Sequence, residues 1–329
     1  MMTNLATHYL GMSLRSPIVV GACSLSKRIE TIRAIEDSGA GALVVKSLFE
    51  EQIQLERNEF DFNATRYDNV FQEAVSLFPR MSHAGAREHI FWLKKAKKEV
   101  SIPLIASLNC VSAEMWVEYA VELAEAGVDA LELNFYSPVM DSSVSSGDIE
   151  KSEIEVVARI CDAVRVPVSV KLHSHYTNLA HVVSQMENVG AKGFVLFNRF
   201  FQPDINVQKM ERQALVHLSH PGDIFQALRW SALLHDKLKA NIAASGGVET
   251  GQDAVKLLLA GANVVQVVSS LYRNGPQHIS KLNDDIVHWM RDHQFQNVDD
   301  FRGILGKRRS EDAWSFERGQ YIKSVLGFD

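Results

Sequence analysis

NIAASGGVETGQDAVKLLLAGANVVQVV, residues 241–268, reads as a complete strand–turn–helix–turn–strand unit. Asn241 to Ser245 is a short apolar run closed by paired glycines, Gly246 and Gly247. Thr250 followed three residues later by Asp253 is a capping-box pattern, so a helix is predicted over 251–260. Gly261 supplies the left-handed residue that commonly ends a helix, and an almost continuous apolar run, interrupted by Gln266, begins at Val264. A run apolar on both faces suits a strand of a parallel sheet covered by helices.

The same grammar of helix, glycine and apolar strand recurs outward along the chain. It is seen in AIEDSGAGALVVK (34–46), LAEAGVDALELN (123–134), MENVGAKGFVLFN (186–198) and LLLAGANVVQVV (257–268). PIVVGA (17–22), PLIASLN (103–109), PVSVKL (167–172) and NIAAS (241–245) complete a set of strands, separated by helical stretches. One such stretch is 113–126, with Trp116, Ala120, Leu123 and Ala124 at helical spacing. Eight strands alternating with helices favour an α/β fold of the (β/α)8 TIM-barrel type over an open sheet. Segments 47–83 and 199–225 exceed the minimal unit and are expected to be extended βα loops over the C-terminal mouth. Residues 1–305 are assigned to the barrel. The aromatic- and charge-bearing tail 306–329 is assigned to packing on it or on a partner subunit.

Composition narrows the classes of function. Apolar residues make up 46% and charged residues 22%, ordinary for a chain with a sizeable core. A net charge of −6 leaves no basic footprint for nucleic acid or an anionic membrane. The run 257–271 is broken by Gly261, Asn263, Gln266, Ser269 and Ser270, so it reads as core and not as a span. Cys23, Cys110 and Cys161 lack metal-ligand spacing, so no metal site is expected; buried thiols in a reducing, cytoplasmic setting are.

Several predicted strands finish in a polar residue: Lys46, Asn109, Asn134, Lys171, Asn198 and Ser245. Barrel enzymes keep their chemistry at these C-terminal ends. Strand ends meeting solvent would be polar anyway, but two lysines and three asparagines converging on one mouth favour function. Ser245-Gly246-Gly247 lies after the seventh strand, where backbone N–H groups and a helix N-terminus customarily receive a phosphate.

Residues 244–276, ASGGVETGQDAVKLLLAGANVVQVVSSLYRNGP, closely resemble the flavin-phosphate region of dihydroorotate dehydrogenases. ALVVKS (42–47), DALELNFYSP (129–138), VPVSVKL (166–172) and, less closely, HLSHPGDIFQALRW (217–230) resemble further signatures of that family in the right order. The resemblance implies a flavin mononucleotide (FMN) cofactor and an oxidoreductase of the soluble, often dimeric branch. The reaction it implies removes a proton from one carbon of a saturated ring and sends hydride from the neighbouring carbon to flavin N5. The resemblance places Lys46 against flavin and substrate and Lys171 beside the flavin ring. The phosphate falls to Gly246, Gly247 and the backbone of Val268 and Ser269. Asn134 and Asn198 would contact flavin or substrate, and the weaker match adds Ser219 to the cofactor set. Asn109 and Ser245, at the ends of their strands, are assigned to the cofactor on position. Ser137 occupies the place of the active-site base.

The sequence also departs from the family. The substrate-gripping Asn-Ser-Met-Gly-Leu-Pro-Asn loop is absent from 47–83, Val139 stands where an asparagine is expected, and His220 and Val268 replace glycines. Half of the polar groups that would hold orotate are therefore missing. The substrate is expected to be dihydroorotate or a similar dihydropyrimidine-like ring, with another carbonyl compound as a second reading. From different classes come a flavin-free aldolase or lyase using Lys171 as a Schiff-base amine, and a binding protein without chemistry. His173 and His175 could relay protons, and Arg66, Arg80 and Arg199 could meet an anionic substrate. A first strand near residue 17 is read as leaving no room for a membrane-docking extension.

Overall fold

The computed structural model describes residues 3–51, 84–136, 141–199, 204–213, 217–306 and 325–327. Eight parallel strands close a barrel: β1 (Ile18–Cys23), β2 (Ala42–Phe49), β3 (Leu104–Asn109), β4 (Ala130–Asn134), β5 (Val168–Leu172), β6 (Gly193–Leu196), β7 (Asn241–Ser245) and β8 (Val264–Val267). They pair in sequence order, and β8 returns to β1. The helices packed outside are α1 (Ile29–Asp37), α2 (Ala84–Glu99), α3 (Ala113–Glu125), α4 (Ser146–Ala163), α5 (Leu179–Asn188), α6 (Ile224–Leu234), α7 (Gly251–Leu259) and α8 (His278–Asp292). Each strand is thus followed by a helix, the arrangement of a (β/α)8 barrel.

Alternation along each strand separates two cores. Outward residues such as Ile18, Val20, Leu43, Val45, Leu131 and Leu133 pack with the apolar stripes of the helices. Their inward neighbours, including Val19, Val44, Ile105, Ala130, Val195, Ala243 and Val264, fill the barrel's lower half. Continuing the inward series toward the mouth, the residues turn polar: Ser107 and Asn109 after Ile105, Glu132 and Asn134 after Ala130, Gln266 after Val264.

A hairpin of Thr7–Tyr9 and Met12–Leu14 seals the opposite end. Leu10 and Gly11 form its tight turn with φ of +53° and +77°, the pair of positive values a two-residue hairpin loop requires. Tyr9, Leu10 and Leu14 are buried among the inward residues, and the backbone N–H of Leu10 donates to Asn241 Oδ1 at 2.7 Å.

The extended loop after the second strand begins later than the sequence suggests, because β2 runs on to Phe49 past a register shift between Val45 and Leu48. Glu50 fastens this extension, accepting from the backbone N–H of Val111 at 2.7 Å and of Ser112 at 3.0 Å. The loop after β6 carries a small hairpin, Asp204–Asn206 with Glu211–Gln213. Residues 298–305 pack against α7: Val298 and Phe301 are buried, and Gly303 N–H donates to Leu258. Most of the 306–329 tail lies outside the described residues. No helix among the described residues is long and apolar enough to cross a membrane.

Candidate active site

A cavity of about 600 Å³ opens at the C-terminal mouth, between the ends of β5 to β8 and the start of α6. This volume lies in the range of small-molecule and cofactor sites. Lys171, Asn198, Ser219, Ser245, Gly246, Gly247, Val268 and Ser269 all line it.

One end is a backbone cradle. Gly246 and Gly247 adopt φ of +104° and +72°. A Cβ on Gly246 would meet no atom within 4 Å, so the cavity passes directly over its backbone. A Cβ on Gly247 would stand 2.5 Å from Ile224 N and 2.8 Å from His220 O, because the start of α6 abuts the turn. The N–H groups of Gly246, Gly247 and Ser269 make no hydrogen bond among the described residues. Outside the cradle, Arg273 pairs with Glu249 and donates to Ser219 O at 2.6 Å, while Ser219 N–H donates to Ser269 Oγ at 2.9 Å. The first turn of α7 contributes less than its position suggests. Asp253 accepts from the N–H of Thr250 at 3.0 Å and Gly251 N–H donates to Asp285 at 3.3 Å, so the helix end is already satisfied.

The other end is a polar layer. Lys171 Nζ donates to Gln266 Oε1 at 3.3 Å and lies 4.0 Å from Glu132 Oε1. Gln266 Nε2 donates to Glu132 Oε2 at 2.6 Å. Above this layer the three asparagines form a chain: Asn109 Nδ2 donates to Asn134 O at 2.8 Å, and Asn198 Nδ2 donates to Asn134 Oδ1 at 2.6 Å. Asn198 reaches the cavity wall while Asn109 and Asn134 support it from behind.

The remaining candidates divide. Lys46 stands at the irregularity in β2, its backbone N–H donating to Ser26 Oγ at 2.8 Å and its ammonium 5.4 Å from the Phe49 ring centre. It is not among the residues lining the cavity. His173 stacks on Tyr176 with centroids 4.1 Å apart, and its Nδ1 accepts from His175 N–H at 3.1 Å. Burial, then the neighbouring His175, lowers the His173 pKa to about 4, so its ring is neutral near pH 7. His175 and Arg199 line the cavity, and Arg199 Nη1 lies 3.3 Å from Asp223 Oδ2. Ser137, Val139, Arg66 and Arg80 lie outside the described residues. Among the cysteines, Cys23 and Cys110 are buried as expected, whereas Cys161, near the end of α4, is half-buried.

The family model for dihydroorotate dehydrogenase matches residues 4–290. The chain belongs to the dihydroorotate dehydrogenase family. It is 28% identical over 297 residues to a putative dihydroorotate dehydrogenase A (fumarate) from Aeropyrum pernix, covering 89% of this chain and 94% of the relative. It is 26% identical over 313 residues to the catalytic subunit of dihydroorotate dehydrogenase B (NAD(+)) from Thermoplasma volcanium, covering 93% and 100%. A subunit of the NAD-dependent dihydropyrimidine dehydrogenase of Escherichia coli is 24% identical over 324 residues, covering 92% and 76%.

Membership makes the chain an oxidoreductase of the dihydroorotate dehydrogenase type, acting on a CH–CH bond, in a family that uses FMN. The flavin-free lysine reading is not favoured. The residues present fit FMN: unbonded backbone N–H groups suit a phosphate at one end, and an ammonium and an amide suit a flavin ring at the other. Sequence reasoning overlooked Gln266 and Glu132. Each is the single polar residue inside an apolar strand run, VVQVV and ALELN, and period-two alternation from the strand-end residues would have placed both inward. Gly21 was overlooked too; a Cβ there would stand 2.9 Å from Val268 Cγ2 and 3.2 Å from Gln266 Oε1.

Proposed function

We propose that this chain oxidises dihydroorotate or a similar dihydropyrimidine-like ring, with weak turnover of dihydroorotate itself, using FMN held from the Gly246–Gly247 cradle to Lys171. The observation that carries the cofactor placement is the cavity itself, with three unbonded N–H groups at one end and Lys171 and Asn198 at the other. When bound, FMN supplies the hydride acceptor. Gly246, Gly247 and the backbone of Val268 and Ser269 would hold its phosphate. Lys171 would offer a positive charge to the ring, and Asn198, oriented by Asn134, would supply a polar contact to flavin or substrate. Lys46 lies beyond the lining residues and takes the substrate side. Ser137 would take the proton from the ring carbon while passing its own hydroxyl proton to a neighbouring group.

The case against dihydroorotate is compositional. Val139 and the missing asparagine loop remove amide donors and acceptors that a carboxylated ring would need, and each partner lost costs about 1–3 kcal/mol. A relative named as a subunit of an NAD-dependent dihydropyrimidine dehydrogenase supports a substrate class wider than dihydroorotate. The test is anaerobic mixing of the yellow holoprotein with dihydroorotate and, separately, dihydrouracil, following flavin bleaching. The proposal expects bleaching by dihydrouracil and little by dihydroorotate. Efficient bleaching by dihydroorotate would make this an ordinary member of its family. Self-association into a homodimer, with the 306–329 tail on the barrel or its partner, belongs to the same reading and is checked by the solution mass of full and tail-truncated chains.

A further inference from the structure

Below the cavity floor lies a group the proposed reaction does not use. Glu132 is fully buried inside the barrel, on a strand whose next inward residue, Asn134, serves the mouth. It accepts from Gln266 Nε2 at 2.6 Å and faces Lys171 Nζ at 4.0 Å. Among the described residues Oε1 has no hydrogen bond, which makes this carboxylate poorly compensated as a packing element. A buried carboxylate is costly unless paired, and a glutamine could satisfy Gln266 without that cost. The charge it keeps is set against the buried Lys171 ammonium.

The amide between them is held in one orientation. Its NH2 end faces a carboxylate, which can only accept, and its oxygen faces an ammonium, which can only donate. Gln266 thereby joins a buried negative charge to the lysine at the cavity wall. Resting on the proposed placement of FMN beside Lys171, we infer that Glu132 is a positioning residue. It aims the Lys171 ammonium at the ring and offsets part of its charge, holding down the flavin's reduction potential. A cation beside the ring favours the charge gained on reduction, and a carboxylate behind it opposes that charge in a low-dielectric interior.

The two charges thus act in opposite directions, and this sets the test. Potentials of reconstituted holoprotein are read by equilibration with a redox dye. Glu132→Gln keeps the hydrogen bond to Gln266 and removes the charge. It is expected to raise the ratio of reduced to oxidised flavin about tenfold at a fixed dye potential, equivalent to about 30 mV for a two-electron couple. Glu132→Asp, which keeps the charge, should stay near the unmodified protein, and Lys171→Gln should shift the ratio the opposite way. Where Glu132→Gln does not fold, Glu132→Ala serves with the same expected sign. A shift by Lys171→Gln with none by the Glu132 variants, or both shifting alike, overturns the inference and leaves the flavin placement standing. If Lys171→Gln moves nothing, the flavin placement falls and the inference falls with it.

Discussion

A serine hydroxyl holds its proton far more tightly than a cysteine thiol, whose free pKa is about 8.5. For Ser137 to act as a base, another group must take its proton onward. Of the two histidines after β5, His173 is a poor relay, since its Nδ1 is engaged by the His175 backbone and its ring packs on Tyr176. His175 lines the cavity. Ser137→Ala should leave FMN bound and slow flavin reduction by substrate by ~10²-fold or more, measured by stopped flow. Ser137→Cys should retain partial activity at a lower pH optimum. Reoxidation of chemically reduced protein needs no such base and should stay unchanged. If Ser137→Ala bleaches as fast as the unmodified protein, the base lies elsewhere. At this scale the sequence was most legible at strand ends, where a lone polar residue stands out against apolar neighbours, as at Lys171 and Asn198. Glu132 and Gln266 were harder to see because their contacts join strands far apart in the chain and exist only once the barrel closes.

Among the elements, the turn after β7 and the loop after β5 each store a measurable consequence. Gly247→Ala places a methyl against Ile224 N and demands a left-handed conformation at φ +72°. It should cost roughly 1–3 kcal/mol and weaken FMN retention, read by thermal melting and flavin content. Between α4 and the β5 loop, Tyr176 Oη donates to Glu153 Oε2 at 2.7 Å. Burial raises the Glu153 pKa to about 7, with the Tyr176 bond opposing and Glu150 adding to the rise. The folded state thus prefers the protonated acid. Its contribution is fully present below the ordinary value of 4.5 and is lost as pH rises through about 7. Glu153→Gln should therefore gain in melting temperature relative to the unmodified protein between pH 5 and pH 8. A constant difference across that range would remove Glu153 from the account. Glycine-terminated helices and apolar runs made the strands and several helices readable in advance. The β2 irregularity and the hairpin after β6 were not, since both answer to neighbours and not to local pattern.

For the whole molecule, a ligand spanning the ends of β5 to β8 adds a further tie between strands already joined by their ladders and by the Lys171–Gln266 contact. Removing FMN should lower the melting temperature, and adding it back at a hundredfold excess over Kd should restore about 2.7 kcal/mol. An apoprotein that melts at the same temperature, with or without FMN, would detach the cofactor from this site. The hairpin at residues 7–14 bears on a different property, the order in which reactants come and go. With Tyr9, Leu10 and Leu14 packed beneath the filled interior, the cavity among the described residues opens at the mouth. The ring that gives up hydride must leave before the partner that collects the electrons can take its place. Initial-rate plots at several fixed acceptor concentrations should accordingly give parallel double-reciprocal lines, the pattern of two half-reactions taking turns; intersecting lines would mean that the two share the mouth at once.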